Sequence, residues 1–207
     1  MKTFDEEKNV ESKKPFLFIA ILGRPGSGKG TQAELLEKKF ELKHISTGAL
    51  LRKRGEQDDI LGKTIKSVLE QGKLIPTPIT FMLWMPELEA LLKDGGEWQG
   101  VLFDGSPRKL HEAQMLDDTL ELYGWSDRFC VLNIAISEEE SMKRLLKRGR
   151  SDDEEQDIRE RLNWFKTSVE PVLDHYRAKG KLIDVDGGQS VDAVHEEILS
   201  KLGAFLP

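Results

Sequence analysis

Cysteine occurs once in this chain, at Cys130, and a single thiol excludes both an internal disulfide framework and a cysteine-built zinc cluster. It stands in the apolar run 129–136, so a core position is expected for it. No apolar stretch approaches the roughly 18 residues needed to cross a bilayer, which argues against a membrane-spanning helix. The first fifteen residues, MKTFDEEKNVESKKP, also lack an apolar h-region and mix both charges. They read as a solvated, disordered leader (1–15) rather than a secretory signal, and the expected location is cytoplasmic. Positive charge is in deficit, with a net charge of −6, and no nucleic-acid partner is expected. Neither the four histidines nor the four tryptophans follow a catalytic spacing, and no repeat or low-complexity tract interrupts the chain.

What is present suits one compact α/β unit. With 207 residues, 33% charged and 38% hydrophobic, the chain can build one full core and a small inserted lobe, but hardly two independent domains. Apolar runs at 16–22, 101–103 and 130–136 read as strands buried on both faces of a parallel sheet, with weaker candidates at 182–185 and 44–45. Helical patterns fill 29–40, 76–92, 110–123, 137–148, 154–179 and 191–202. Ser137 followed by Glu138, Glu139 and Glu140 is an N-cap with acids in the first turn, and Pro171 is expected to interrupt the longest helix. Strands alternating with helices predict a doubly wound three-layer fold around a parallel five-stranded sheet. The polar stretch 46–76 has no strand signal and reads as a small helical insertion.

The chemistry is concentrated in Gly23-Arg24-Pro25-Gly26-Ser27-Gly28-Lys29-Gly30-Thr31-Gln32, placed between an apolar strand and a helix start. Glycines at this junction let backbone N–H groups converge on phosphate oxygens, the helix dipole adds positive potential, and Lys29 can reach the terminal phosphates. Nucleotide binding through Gly26, Ser27, Gly28, Lys29, Gly30 and Thr31 follows. Asp104 closes a buried strand in Asp104-Gly105-Ser106-Pro107-Arg108, where a carboxylate faces the phosphate loop of an open α/β sheet. A third cluster runs from Arg144 and Arg148, four apart on one helix face, to Arg150, Asp152, Asp153, Arg159 and Arg161.

The loop form GxPGxGKGTQ resembles that of the adenylate kinase family, and from about Phe16 onward nearly the whole chain resembles it too. By that resemblance Ser46-Thr47-Gly48-Ala49-Leu50-Leu51-Arg52 opens a monophosphate-binding insertion that ends at Gly72-Lys73-Leu74-Ile75-Pro76. It implies a single P-loop kinase domain (16–207) with that insertion (46–76) and a very short lid loop (148–153). It further implies a nucleoside monophosphate kinase that moves the γ-phosphoryl group of Mg-ATP to AMP, acting as a monomer. The catalytic cations would be Lys29, Arg108, Arg144, Arg148, Arg150 and Arg161, with Arg144 and Arg148 on the ATP side. Thr47, Arg52, Gly105, Arg108, Glu112, Arg150 and Arg161 would hold the acceptor, and Asp104 would hold Mg²⁺ through water, with no zinc involved.

Three departures from the family pattern bear on function. Only Gly149 separates Arg148 from Arg150, which shortens the lid. Ser106 stands where the family has a large apolar residue. Glu112 stands where it has a glutamine that reads adenine; an ionised carboxylate only accepts hydrogen bonds, which suits the N–H donors of guanine. AMP is the expected acceptor, with GMP or a pyrimidine monophosphate as the alternative. An ATPase or switch protein is the remote one, disfavoured by Gly30 after the lysine and Gly105 after the aspartate. A phosphate acceptor is already anionic, so the lack of a base motif agrees with a monophosphate rather than a hydroxyl acceptor.

Overall fold

The computed structural model describes residues 17–94, 98–149 and 154–203. The leader 1–15, and Arg150, Asp152 and Asp153 of the lid loop, lie outside the described residues.

Five strands form one all-parallel sheet in the order β2-β3-β1-β4-β5: β1 (Leu17–Gly23), β2 (Lys43–Ser46), β3 (Gly100–Asp104), β4 (Phe129–Ala135) and β5 (Leu182–Asp186). The apolar runs are strands because both of their faces are covered. On one side Phe18, Ala20 and Leu22 of β1 pack with Phe103, Trp84, Leu116 and Tyr176. These come from β3 and from helices α4 (Thr77–Asp94), α5 (Leu110–Leu122) and α8 (Glu170–Ala178). On the other side Leu17, Ile19 and Ile21 pack with Ala33, Leu36 and Ile198 of α1 (Lys29–Phe40) and α9 (Val191–Leu202). This is the three-layer doubly wound architecture expected. Cys130 belongs to the second core, and burial pushes its thiol up to about 12, far from the range of a reactive thiolate.

The pairing of the interior strands β1 and β3 imposes its own constraint. Gly100 pairs with Leu17 at φ +155°, and a Cβ built there would lie 1.9 Å from the Leu17 carbonyl oxygen. Gly100→Ala is therefore expected to cost roughly 3 kcal/mol or more, measurable by chemical denaturation, because neither backbone can yield without breaking the β1–β3 ladder.

The stretch 46–76 folds as two helices, α2 (Thr47–Gly55) and α3 (Ile60–Glu70), packed on each other through Leu51, Ile65 and Ile75. Ser46 and Asp59 cap them by accepting from Ala49 and Gly62 backbone N–H groups. The expected long helix at 154–179 is three pieces: α7 (Glu155–Trp164), a π-helical turn (Phe165–Val169) and α8. Pro171 has no N–H to give the carbonyl four residues back, and the wider turn immediately before it absorbs that missing bond. Helix α6 (Glu138–Arg148) begins at Ser137, whose hydroxyl accepts from Glu140 N–H as its sequence suggested. No helix among the described residues is long and apolar enough to cross a membrane.

Candidate active site

The loop from β1 to α1 lies at the carboxyl end of the sheet. Gly26 and Gly28 have φ of +79° and +89°, values that L side chains resist, and Gly28 caps α1 without any side-chain bond. The first N–H groups of α1 have no intrahelical carbonyl, so they present an anion-binding end next to Lys29. Two residues fasten the loop to its surroundings. The buried Ser141 hydroxyl of α6 donates to the Pro25 carbonyl. Arg24 donates to the Ile136 carbonyl (2.8 Å) and to Glu170 (3.0 Å) while lying over the Phe165 ring. Nothing in the sequence marks either residue for this role, since both act through partners more than a hundred residues away.

A cavity of about 200 Å³ opens above this loop. Its described lining includes Lys29, Arg52, Lys73, Arg108, Arg148 and Arg161, together with Gly26 and Gly105, and contains no carboxylate. Six cations around one small cavity suit an anion of several charges. Burial is the main cause of a Lys29 pKa lowered to about 8; Asp104 opposes it, and Arg108, Arg148 and Arg161 add to it. The Arg108 guanidinium is likewise disfavoured by burial, with Asp104 and Glu112 in compensation. Glycines make room for two of the forks: a Cβ at Gly105 would lie 2.6 Å from Arg108 Nη2, and one at Gly48 would lie 3.2 Å from Arg52 Nη1.

Asp104 ends β3 beside the cavity. Its Oδ2 accepts from the Ser46 hydroxyl at 3.3 Å, while Oδ1 is buried without a donor among the described residues. Ser27 Oγ and Thr47 Oγ1 are buried in the same unpartnered condition. Such groups are costly in a native fold unless a ligand completes them. A second, much smaller cavity is lined by Thr47, Leu51, Thr80, Gly105, Arg108 and Glu112 among others. Glu112 is the third residue of α5, 3% exposed, and accepts from the Arg108 backbone N–H (2.7 Å) and the Thr77 hydroxyl (3.4 Å). Its carboxylate thus fixes the loop that carries Arg108 as well as facing the small cavity.

The arginine cluster divides. Arg148, at the end of α6, and Arg161, 8% exposed on α7, line the large cavity. Arg144, one turn back, is bonded to Glu140 at 2.7 Å, outside that lining. Arg159 points away into an i,i+4 pair with Glu155, the solvated salt bridge its position suggests. Trp164 and Phe165 also line the cavity, which nothing in their spacing foretold.

Comparison with known proteins agrees with this geometry. The sequence model of the adenylate kinase family matches residues 21–181. An adenylate kinase of Azobacteroides pseudotrichonymphae is 38% identical over 190 residues, covering 90% of this chain and 97% of the relative. One from Phocaeicola vulgatus is 38% identical over 188 residues, 89% and 97%. Adenylate kinase 1 of Schistosoma mansoni is 36% identical over 191 residues, 90% and 93%.

Proposed function

Because this chain belongs to the adenylate kinase family, we propose the following roles for its residues in the reversible transfer of the γ-phosphoryl group of ATP to AMP, which yields two ADP. The observation that carries the reading is the cavity in which Lys29, Arg52, Arg108, Arg148 and Arg161 meet the phosphate loop, with no carboxylate among its described lining residues.

Phosphoryl transfer of this type depends on positioning and on stabilising charge spread over the equatorial oxygens. Gly26 to Thr31 hold the donor phosphates through backbone N–H groups, and Lys29 neutralises the β- and γ-phosphates. Arg52 and Arg108 hold the acceptor phosphate from α2 and from the β3–α5 loop. Arg148 and Arg161 approach the transferring group from α6 and α7, and family resemblance assigns Arg144 and Arg150 to the same group. No side chain has to remove a proton, since the attacking oxygen is already anionic. The buried, unpartnered Asp104 Oδ1 is a hard oxygen donor at the phosphate end and fits a hydrated Mg²⁺. When bound, that ion supplies charge neutralisation on the donor phosphates. A cytoplasmic location and a monomeric state are part of the same proposal and rest on family membership.

Thr47 and Glu112 face the small cavity on the acceptor side. The carboxylate there favours a second acceptor with N–H donors, GMP, beside AMP. Incubation with Mg-ATP and AMP, GMP, CMP, UMP or no acceptor, followed by nucleotide separation, tests both points. ADP is expected to form fastest with AMP, two molecules for each ATP consumed. Equal ATP consumption without any acceptor would overturn the kinase reading.

A further inference from the structure

Trp164 is the one tryptophan that lines the phosphate cavity; Trp84, Trp98 and Trp125 are buried in the core. It stands three residues after Arg161 on α7, so both side chains leave the same helix face. Its indole N–H donates to the Gly72 carbonyl at 2.9 Å, across 92 residues of sequence. Gly72 follows the end of α3 in the left-handed conformation, φ +65°, and its N–H returns to Leu69. The carbonyl that Trp164 satisfies therefore belongs to the closing turn of the helical insertion, at the negative end of the α3 dipole. That turn lies directly on α7, because a Cβ at Gly72 would contact the Asp157 carbonyl and Arg161 Cγ at 3.5 and 3.6 Å. The indole ring also faces the buried Arg108 guanidinium, 5.5 Å from its centroid.

We infer that Trp164 is a positioning residue for the acceptor phosphate, a latch that ties the end of the α2–α3 insertion to α7 and closes one side of Arg108 from water. The inference rests on the kinase reading for its consequence in catalysis, but the latch is a property of the chain alone. Only six residues, 149–154, connect α6 to α7. A large flat ring on the neighbouring helix supplies cover from the other side, and its N–H couples that cover to the position of the insertion. A water-poor wall beside Arg108 strengthens its attraction for a phosphate.

Two variants separate the ring from the N–H. Trp164→Phe keeps an aromatic face for Arg108 and removes the donor; Trp164→Leu removes both. Loss of one net hydrogen bond predicts a KM for AMP about fivefold higher in Trp164→Phe, with kcat close to that of the parent. Trp164→Leu is expected to raise that KM further and lower kcat about tenfold, because Arg108 loses its facing ring. The KM for ATP should stay within about twofold in both, since the phosphate loop is fastened by Ser141 and Arg24 instead. Amide hydrogen exchange in residues 47–72 should accelerate about fivefold in both variants, with the sheet unchanged. Unchanged exchange in that segment, or KM values for AMP and ATP that rise in step, would overturn the inference. Should the parent protein transfer phosphate to no monophosphate, the proposed function falls, and the exchange measurement alone decides the latch.

Discussion

Lys29→Met is expected to remove nearly all turnover while making the unliganded protein more stable. The functional loss follows from deleting the one ammonium in the phosphate loop; removal of a single preorganised donor to developing charge costs roughly 10²–10³-fold in kcat. The gain in stability follows from its surroundings. Burial and three nearby guanidiniums lower the Lys29 pKa from 10.5 to about 8. At about 1.4 kcal/mol per pKa unit this is on the order of 3 kcal/mol, and its partial exposure reduces the expected gain to about 1–2 kcal/mol. For a chain of this size that is a rise of about 2–8 °C in Tm.

The pH dependence has a definite sign. The folded pKa lies below the unfolded value, so the folded protein binds fewer protons between about pH 8 and 10.5. The penalty of the charged lysine is fully present below about pH 8 and disappears as pH rises towards 10.5. The stability advantage of Lys29→Met should therefore be largest at neutral pH and vanish in strong alkali, as thermal unfolding across pH would show. Bound phosphates restore the ammonium, so ATP binding above pH 8 should take up protons, detectable by calorimetry in buffers of different ionisation enthalpy. A variant with unchanged or lower Tm at pH 7 would contradict this account.

Arg108→Ala should give the opposite pairing: lost activity and lost stability. An arginine that clamps transferring phosphoryl charge is worth about 10³-fold or more in rate. Its removal should lower kcat/KM for AMP by that order while changing the KM for ATP far less. Arg108 shares Asp104 with Lys29 but has a second compensating carboxylate, Glu112. Alanine takes this cation from the buried Glu112 and leaves Asp104 with Lys29 alone, at an expected cost of up to about 3 kcal/mol. Arg108→Lys restores a charge but not the planar fork, and should recover only a small part of the rate. Steady-state kinetics with each substrate varied in turn, beside a melting curve, measures both effects. Equal losses for ATP and AMP would argue that Arg108 serves the whole cavity rather than the acceptor phosphate.

The sequence and the structure meet at different depths in different places. The loop at Gly23 to Gln32 was legible because every feature needed for it is contiguous: strand, glycines, lysine, helix start. Asp104 was legible from its place at the end of an apolar run. The arginines were legible as a cluster but not as a division. Arg144 and Arg148 share a helix face, yet Glu140 engages the first while the helix end carries the second into the cavity. For Glu112 the family resemblance implies a base contact, whereas its bond to the Arg108 backbone depends on where α5 starts. The break in the long helix was anticipated at Pro171, although its form, a π-helical turn, was not.

By itself, then, the sequence determined the class of chemistry and the layered α/β fold, because both follow from residues near one another in the chain and from the period of the apolar pattern. Tertiary structure decided which cations share a cavity, that Arg24 and Ser141 fasten the phosphate loop, and that Trp164 reaches Gly72. Those outcomes depend on side chains brought together from distant segments, where spacing along the chain carries no information about distance in space.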